Sequence, residues 1–277
     1  MPRPAIAASL LCLACTTQAQ PNEYDFNFVT INHPGNHSIE RRADPNTILQ
    51  FRLNPLLPDA GQVPVGGIAP TQAAMFCNWL HNGKQIDDAS LTTGAYTIDN
   101  PNFGEPVISN FERLKGAKYW IPTLDEWMKA VYWDPDNPAE GGWWEFPNSS
   151  DRPPVAGPPG IGETNAGYLD TSFDWLDFRL NQYPDTQTPW GLLDATGSAS
   201  EMTSTLPLAD DRDVYAKGAP LGDDAFQGFR DRADVSLDIL ITNGSSNTGL
   251  RIASAVPSPG AAVPVALASV LTARRRR

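Results

Sequence analysis

The sequence predicts an α+β fold that is irregular and loop-rich, a single domain with short strands and two main helices. Three observations carry this. Pro (26) and Gly (22) are abundant in 277 residues, with Pro at roughly twice its usual share of about 5%, which favours turns over long elements. Only two segments show sustained helical periodicity. The strand-like runs are short and fenced by prolines. Hydrophobic residues make up 41% and eight tryptophans are present, a composition that buries a core. The formal charge of −12 supplies no basic stripe for phosphates, so a nucleic-acid partner is not expected.

The elements follow in chain order. Residues 1–19 have the layout of a secretory signal peptide. Arg3 is followed by an apolar run from Ala5 to Ala14 and a small polar region ending in Ala19, where cleavage before Gln20 is expected. The run is too short to span a bilayer. A lipidated Cys15 is the lesser alternative. Cleavage removes Cys12 and Cys15 and leaves Cys77 as the one thiol, so no intrachain disulfide can form.

Residues 20–254 hold no repeat and no low-complexity linker, and form the single domain. A short strand in "YDFNFVTI" leads into a turn-rich stretch with His33 and His37, and a second strand is expected over Ile48–Leu53. In "APTQAAMFCNWLHNG", Ala73, Phe76, Cys77 and Leu80 fall on one helical face, with Gly83 as the stop. In "IPTLDEWMKAVYWDP", Thr123 and Glu126 form a capping box, Leu124, Trp127 and Val131 form the buried stripe, and Pro135 ends the element. Short strands and loops complete the domain.

Residues 255–277 read as a tail with three parts. Val256-Pro257-Ser258-Pro259 precedes an apolar run over 260–273, which ends in Arg274 to Arg277. This order resembles the PEP-CTERM sorting tail, with Ser258 where that motif has Glu. The resemblance implies export, exosortase-type sorting machinery as a partner, transient membrane association, and a basic cluster left in the cytoplasm. The expected destination is the cell envelope or the extracellular space.

Catalytic patterns are sparse. No zinc spacing surrounds His33, His37 or His81, and no phosphate-cradling or nucleophile-elbow motif occurs. The pairs Asp210-Asp211 and Asp223-Asp224 read as solvated loop charges. Trp143 and Trp144 are either a sugar-stacking platform or loop anchors. The stretch "DATGSASE" looks like a calcium loop, since Asp194 and Glu201 supply carboxylates and Gly197 lets the chain fold back. An ordinary acidic turn is the alternative.

Four pieces in order, "FCNWL" (76–80), "IPTLDEWMKA" (121–130), "WGLLDATGSASE" (190–201) and "GLRIAS" (249–254), resemble the formylglycine-generating enzyme (sulfatase-modifying factor) family across residues 63–254. The resemblance implies a C-type-lectin-like fold. It also implies structural calcium, held by Asp194, the Gly197 and Ala199 carbonyls and Glu201. A second calcium site would begin at Asn165 and the Ala166 carbonyl, its other ligands not placed among Asp170, Asp174 and Asp177. Catalytic family members bind Cu(I) through a Cys-x4-Cys pair and oxidise a substrate cysteine. Here "KGAPLGDDAFQG" (217–228) contains no cysteine, and Asp223 and Gly228 stand where the pair would be. Soft thiolates are what Cu(I) requires, so no copper and no catalytic residue are expected. Two functions follow. One is a non-catalytic exported surface or envelope protein that uses the scaffold for structure or to bind an extracellular glycan or peptide. The other is a divergent formylglycine-generating oxidoreductase.

Overall fold

The computed structural model describes residues 29–30, 46–50, 66–85, 87–99, 107–108, 110–137, 142–168, 179–207, 213–221, 231–235, 237–240 and 248–255. The expected signal peptide and residues 256–277 of the expected sorting tail lie outside the described residues, Ala255 being the last residue of a strand, as do His33, His37, Asp170, Asp174, Asp177, Asp210, Asp211, Asp223, Asp224 and Gly228.

Both expected helices are present. Helix α1 spans Pro70–His81. Pro70 opens it at a position whose amide has no intrahelical partner. It closes as a Schellman turn: Gly83 N–H donates to the Leu80 carbonyl (3.1 Å) and Lys84 N–H to that of Trp79 (2.8 Å), with Gly83 at φ 69°. Ala73, Ala74, Cys77 and Leu80 are buried, while Phe76 is half-buried and packs against the core beside Trp79. Asn78 docks the following segment onto this helix, donating to the Leu91 carbonyl and accepting from Tyr96 N–H at 2.7 Å. A short helix α2, Asp88–Thr92, lies in that segment. It has no periodicity to betray it and starts on Asp87, whose side chain accepts from Ser90 N–H at 2.8 Å.

Helix α3 spans Leu124–Tyr132. The expected capping box forms, with Thr123 Oγ1 accepting from Glu126 N–H (3.2 Å) and Glu126 Oε2 from Thr123 N–H (3.0 Å). Glu126 also accepts from Trp120 Nε1 (3.0 Å) and Arg113 Nη1 (2.6 Å). That set of donors lets a carboxylate sit buried. The buried face therefore differs from the expected stripe: Trp127 and Val131 are in it, Leu124 is half-buried, and Glu126 and Lys129 are buried instead.

The strands are short. They are β1 Val29–Thr30, β2 Asn46–Gln50, β3 Ile98–Asp99, β4 Val107–Ile108, β5 Tyr119–Trp120, β6 Ser200–Met202, β7 Asp213–Lys217, β8 Leu237–Leu240, β9 Thr248–Gly249 and β10 Arg251–Ala255. The second strand starts two residues earlier than the sequence suggests, and residues 51–53 of that expected strand lie outside the described residues. One sheet has the order β1-β2-β10-β5 and is antiparallel; a second has the order β8-β7-β6-β9; β3 and β4 form a hairpin-like pair. Strand β6 pairs antiparallel with β7 and parallel with β9. Only Leu250 separates β9 from β10, so the chain crosses there from the second sheet into the first. This crossing positions the site described next.

The main core joins α1, Tyr96, Ile98, Ile108, Trp120, Ile121, Leu192, Met202, Val214, Ile252 and Ala253. A smaller one joins Trp127, Val131, Tyr132 and Ala195. Each large side chain fully buried there contributes on the order of 1.5–3 kcal/mol. The architecture is mixed α+β, with few helices and short strands.

Candidate functional site

The loop at 189–201 is wound tightly because its backbone repeatedly turns left-handed, at Asp194 (φ 55°), Gly197 (φ 81°) and Ser198 (φ 58°). Polar side chains hold it in place. Asp194 Oδ2 accepts from Asn181 N–H at 2.8 Å. Gly197 N–H donates to the Ala219 carbonyl at 2.9 Å. Ser198 N–H donates to Asn165 Oδ1 at 2.6 Å, and Asn165 Nδ2 returns a bond to Ser198 Oγ at 3.2 Å. Ala166 forms a bridge with Leu221. The two segments that the sequence assigned to separate calcium sites thus touch, Asn165 lying directly against Gly197.

Glu201, in β6, points into the interior. Arg251 Nε donates to its Oε2 at 2.6 Å, Arg251 Nη2 to its Oε1 at 2.5 Å, and Trp127 Nε1 to its Oε2 at 2.7 Å. Arg251 Nη2 also reaches the carbonyls of Leu193 (3.2 Å) and Asp194 (3.3 Å). Arg251 is 1% exposed and Glu201 7%. The pair is a bidentate fork, the strong form of ion pair. Three sequence pieces that lie far apart in the chain meet here: Trp127 from α3, Glu201 from β6, and Arg251 from the first residue of β10.

A second buried cation lies across Trp127. Lys217 is the cross-strand partner of Glu201. Its Nζ donates to the carbonyls of Arg232 (2.9 Å), Ala233 (3.2 Å) and Val235, over the rings of Tyr132 and Trp127. Asp231, fully buried, accepts from Thr196 Oγ1 and from Ala219 N–H (2.7 Å), and its carbonyl accepts from Tyr132 Oη (3.0 Å). The network ties the 189–201 loop, β7 and the 231–235 turn to α3.

Burial pushes Lys217 down to about 7, against the pull of Asp231 and Asp234. An unfolded lysine titrates near about 10.4. Between those values the unfolded chain binds the extra proton, so stability should rise with pH from about 7 by up to about 1.4 kcal/mol per unit. Burial raises the Cys77 thiol and, more strongly than their other influences, the Tyr96 and Tyr132 phenols. Their unfolded forms ionise near about 8.5 and 10, so the rise should level off above about 8.5 and reverse above about 10. Denaturant midpoints across this range should trace that curve, and Lys217→Met should remove the rise. A flat wild-type profile between pH 7 and 8.5 would show that the carbonyl cage keeps the ammonium fully charged in the fold.

Of the other expected residues, Trp143 packs against the small core around Trp127 and bridges Trp133. Trp144 donates its Nε1 to Asp134 at 3.0 Å. Both act as loop anchors. His81 accepts from Lys118 N–H through Nδ1 at 3.2 Å. Cys77 is fully buried on α1. Among the described residues no group of three His, Cys, Asp or Glu is placed to hold a metal ion. No described helix is long and apolar enough to cross a membrane. Sequence reasoning passed over Arg251, Lys217 and Asp231 as site residues. One signal was available: Arg251 stands inside an apolar strand between Leu250 and Ile252, and a charge buried there must be paired.

No protein-family model matches the chain, and no curated protein matches it. Among solved structures it is similar to Treponema denticola variable protein 1, at 16% identity and a TM-score of 0.49, covering 83% of this chain and 95% of that one. It is similar to a protein named CarF at 13% identity and a TM-score of 0.48, covering 83% and 96%. It is also similar to PvdO from Pseudomonas aeruginosa at 10% identity and a TM-score of 0.38, covering 83% and 92%.

The copper implied by the sequence resemblance finds no fitting donor set. Cu(I) needs thiolates, and outside the expected signal peptide the chain has only Cys77, buried with its thiol pKa raised. The side-chain oxygens of Asp194, Asn165 and Glu201 each accept a hydrogen bond from within the protein, and Glu201 also faces a guanidinium.

Proposed function

We propose that this chain is an exported surface or envelope protein that uses a formylglycine-generating-enzyme-like, C-type-lectin-like scaffold for binding or structure and does not oxidise cysteine. One observation carries the proposal. The polar residues of three resemblance motifs, Trp127, Glu201 and Arg251, meet as one buried network, as a working scaffold requires. The thiol pair that the oxidase chemistry needs has no counterpart in the sequence. A buried thiol kept protonated is a poor nucleophile and a poor metal ligand. The ligand class suggested by the scaffold is an extracellular glycan or peptide.

Two measurements test the proposal. Purified protein, with copper and without it, is expected to leave a sulfatase-type cysteine peptide unconverted. Copper-dependent formation of formylglycine that disappears in Cys77→Ser would overturn the non-catalytic reading and restore the oxidoreductase. Intact mass of the protein from its native envelope is expected to place the start near Gln20 and the end near Pro259. Recovery of a chain still carrying Arg274 to Arg277 would remove the sorting-tail part.

A further inference from the structure

We infer that the turn at 113–118 and the end of α1 form a binding strip for an anionic polysaccharide, whose carboxylate or sulfate groups are met by Lys115, Lys118 and His81. The inference rests on the reading above that the scaffold binds an extracellular glycan, and it narrows the class of that glycan.

The segment "RLKGAK" (113–118) carries three cations and no carboxylate, in a chain of net charge −12. Its backbone presents two of them. Leu114 N–H donates to the Ala95 carbonyl at 2.8 Å and Ala117 N–H to that of Leu114 at 3.0 Å, with Gly116 at φ 89°. This tight turn leaves Lys115 and Lys118 exposed. Arginines elsewhere on the surface are already paired: Arg113 with Glu126, Arg152 with Glu163, and Arg232 with Glu145 and Asp234. Lys115 and Lys118 make no ion pair among the described residues.

His81, half-buried at the end of α1, adds a neutral donor beside them. Its Nδ1 accepts from Lys118 N–H at 3.2 Å, which places the proton of an uncharged imidazole on Nε2. Burial, and then the Lys118 ammonium, hold the imidazole below its usual range, so the ring is uncharged near neutral pH. Among the described residues nothing accepts from Nε2. Two ammonium groups and one N–H donor thus share a stretch of surface with no protein acceptor, and a carboxylate or sulfate offers acceptors only. Leu114, 42% exposed next to Lys115, adds an apolar contact for the C–H face of a sugar ring. The strip is narrow, since Glu112 before the turn and Asp87 and Asp88 beyond α1 are exposed carboxylates. An anionic membrane would press its charge against these groups and against an acidic chain. A strand one sugar wide meets the lysines alone.

The test is calorimetric titration of the purified full chain, in low-salt buffer with chelator, against sodium alginate and against dextran sulfate. Neutral dextran and phosphatidylglycerol vesicles are the comparisons. A polyanion is expected to bind, more weakly as sodium chloride rises, and the tighter of the two identifies carboxylate or sulfate as the recognised group. Dextran and vesicles are expected not to bind. Lys115→Gln/Lys118→Gln is expected to lose affinity about tenfold, with an unchanged melting temperature because both side chains are exposed. Val155→Glu/Ile161→Glu lowers the net charge equally at exposed positions of another loop, and is expected to bind as wild type does. Equal losses in the two variants would overturn the strip, since general charge would then explain the binding. So would binding of vesicles or of neutral dextran in place of the polyanions. Absence of polyanion binding also overturns the strip but not the scaffold reading, which the cysteine-peptide and intact-mass measurements decide.

Discussion

Arg251→Met is expected to destabilise the fold by about 3–5 kcal/mol, because it leaves the Glu201 carboxylate buried without its counter-charge. Three effects act together. The bidentate pair is lost, the carbonyls of Leu193 and Asp194 lose their shared donor, and Trp127 Nε1, a neutral donor, stays on a carboxylate whose charge it cannot balance. For a chain of this size the loss corresponds to a fall of roughly 6–20 °C in melting temperature. The double variant Glu201→Leu/Arg251→Met should recover much of the loss, since replacing a buried ion pair with apolar groups of similar volume is often close to neutral. Chemical denaturation of the wild type, both single variants and the double variant forms a cycle that isolates the pair. A single Arg251→Met variant within about 1 kcal/mol of wild type would mean that the guanidinium is dispensable.

Gly197→Ala is expected to destabilise by about 3 kcal/mol or more, combining left-handed backbone strain with overpacking. A Cβ at Gly197 would lie 2.3 Å from Asn165 Oδ1 and 2.8 Å from Thr164 Oγ1, at φ 81°. Asn165 could give way only by releasing the Ser198 N–H, and Thr164 only by leaving Thr196 Oγ1. Gly191 supplies a matched control: its φ is 80°, but the nearest atom to an added Cβ is Gln187 Oε1 at 3.8 Å. Gly191→Ala should therefore cost only the backbone strain, about 1–2 kcal/mol. Equal losses in the two variants would show that the Asn165 contact yields freely and does not lock the loop.

What was legible in the sequence was what depends on near neighbours. The capping box of α3 spans four residues, and the Schellman turn of α1 is set by one glycine, so local bonding decides both. Cys77 could be placed in the core from helical spacing alone, and the missing thiol pair from counting. Helix α2 escaped because its five residues bury only Ser90 and carry no apolar period. The expectation for Leu124 missed because periodicity sorts residues by polarity. It cannot foresee that Trp120 and Arg113 will make burial of Glu126 tolerable.

The candidate site depended on separation in sequence. "DATGSASE" has the composition of a cation-binding loop, and the sequence by itself left open whether its carboxylates hold an ion or form an ordinary acidic turn. Which group faces Glu201 was decided only in three dimensions. Arg251 lies 50 residues beyond Glu201, and Trp127 lies 74 before it. They meet because β9 pairs parallel to β6 and the chain then crosses at Leu250 into the other sheet. Local propensity fixes elements within a few residues, but a buried charge is satisfied by whatever the sheets bring beside it. Composition could therefore announce an acidic loop, while only the packing of β6, β9 and α3 decided that the Glu201 carboxylate faces an arginine of the same chain.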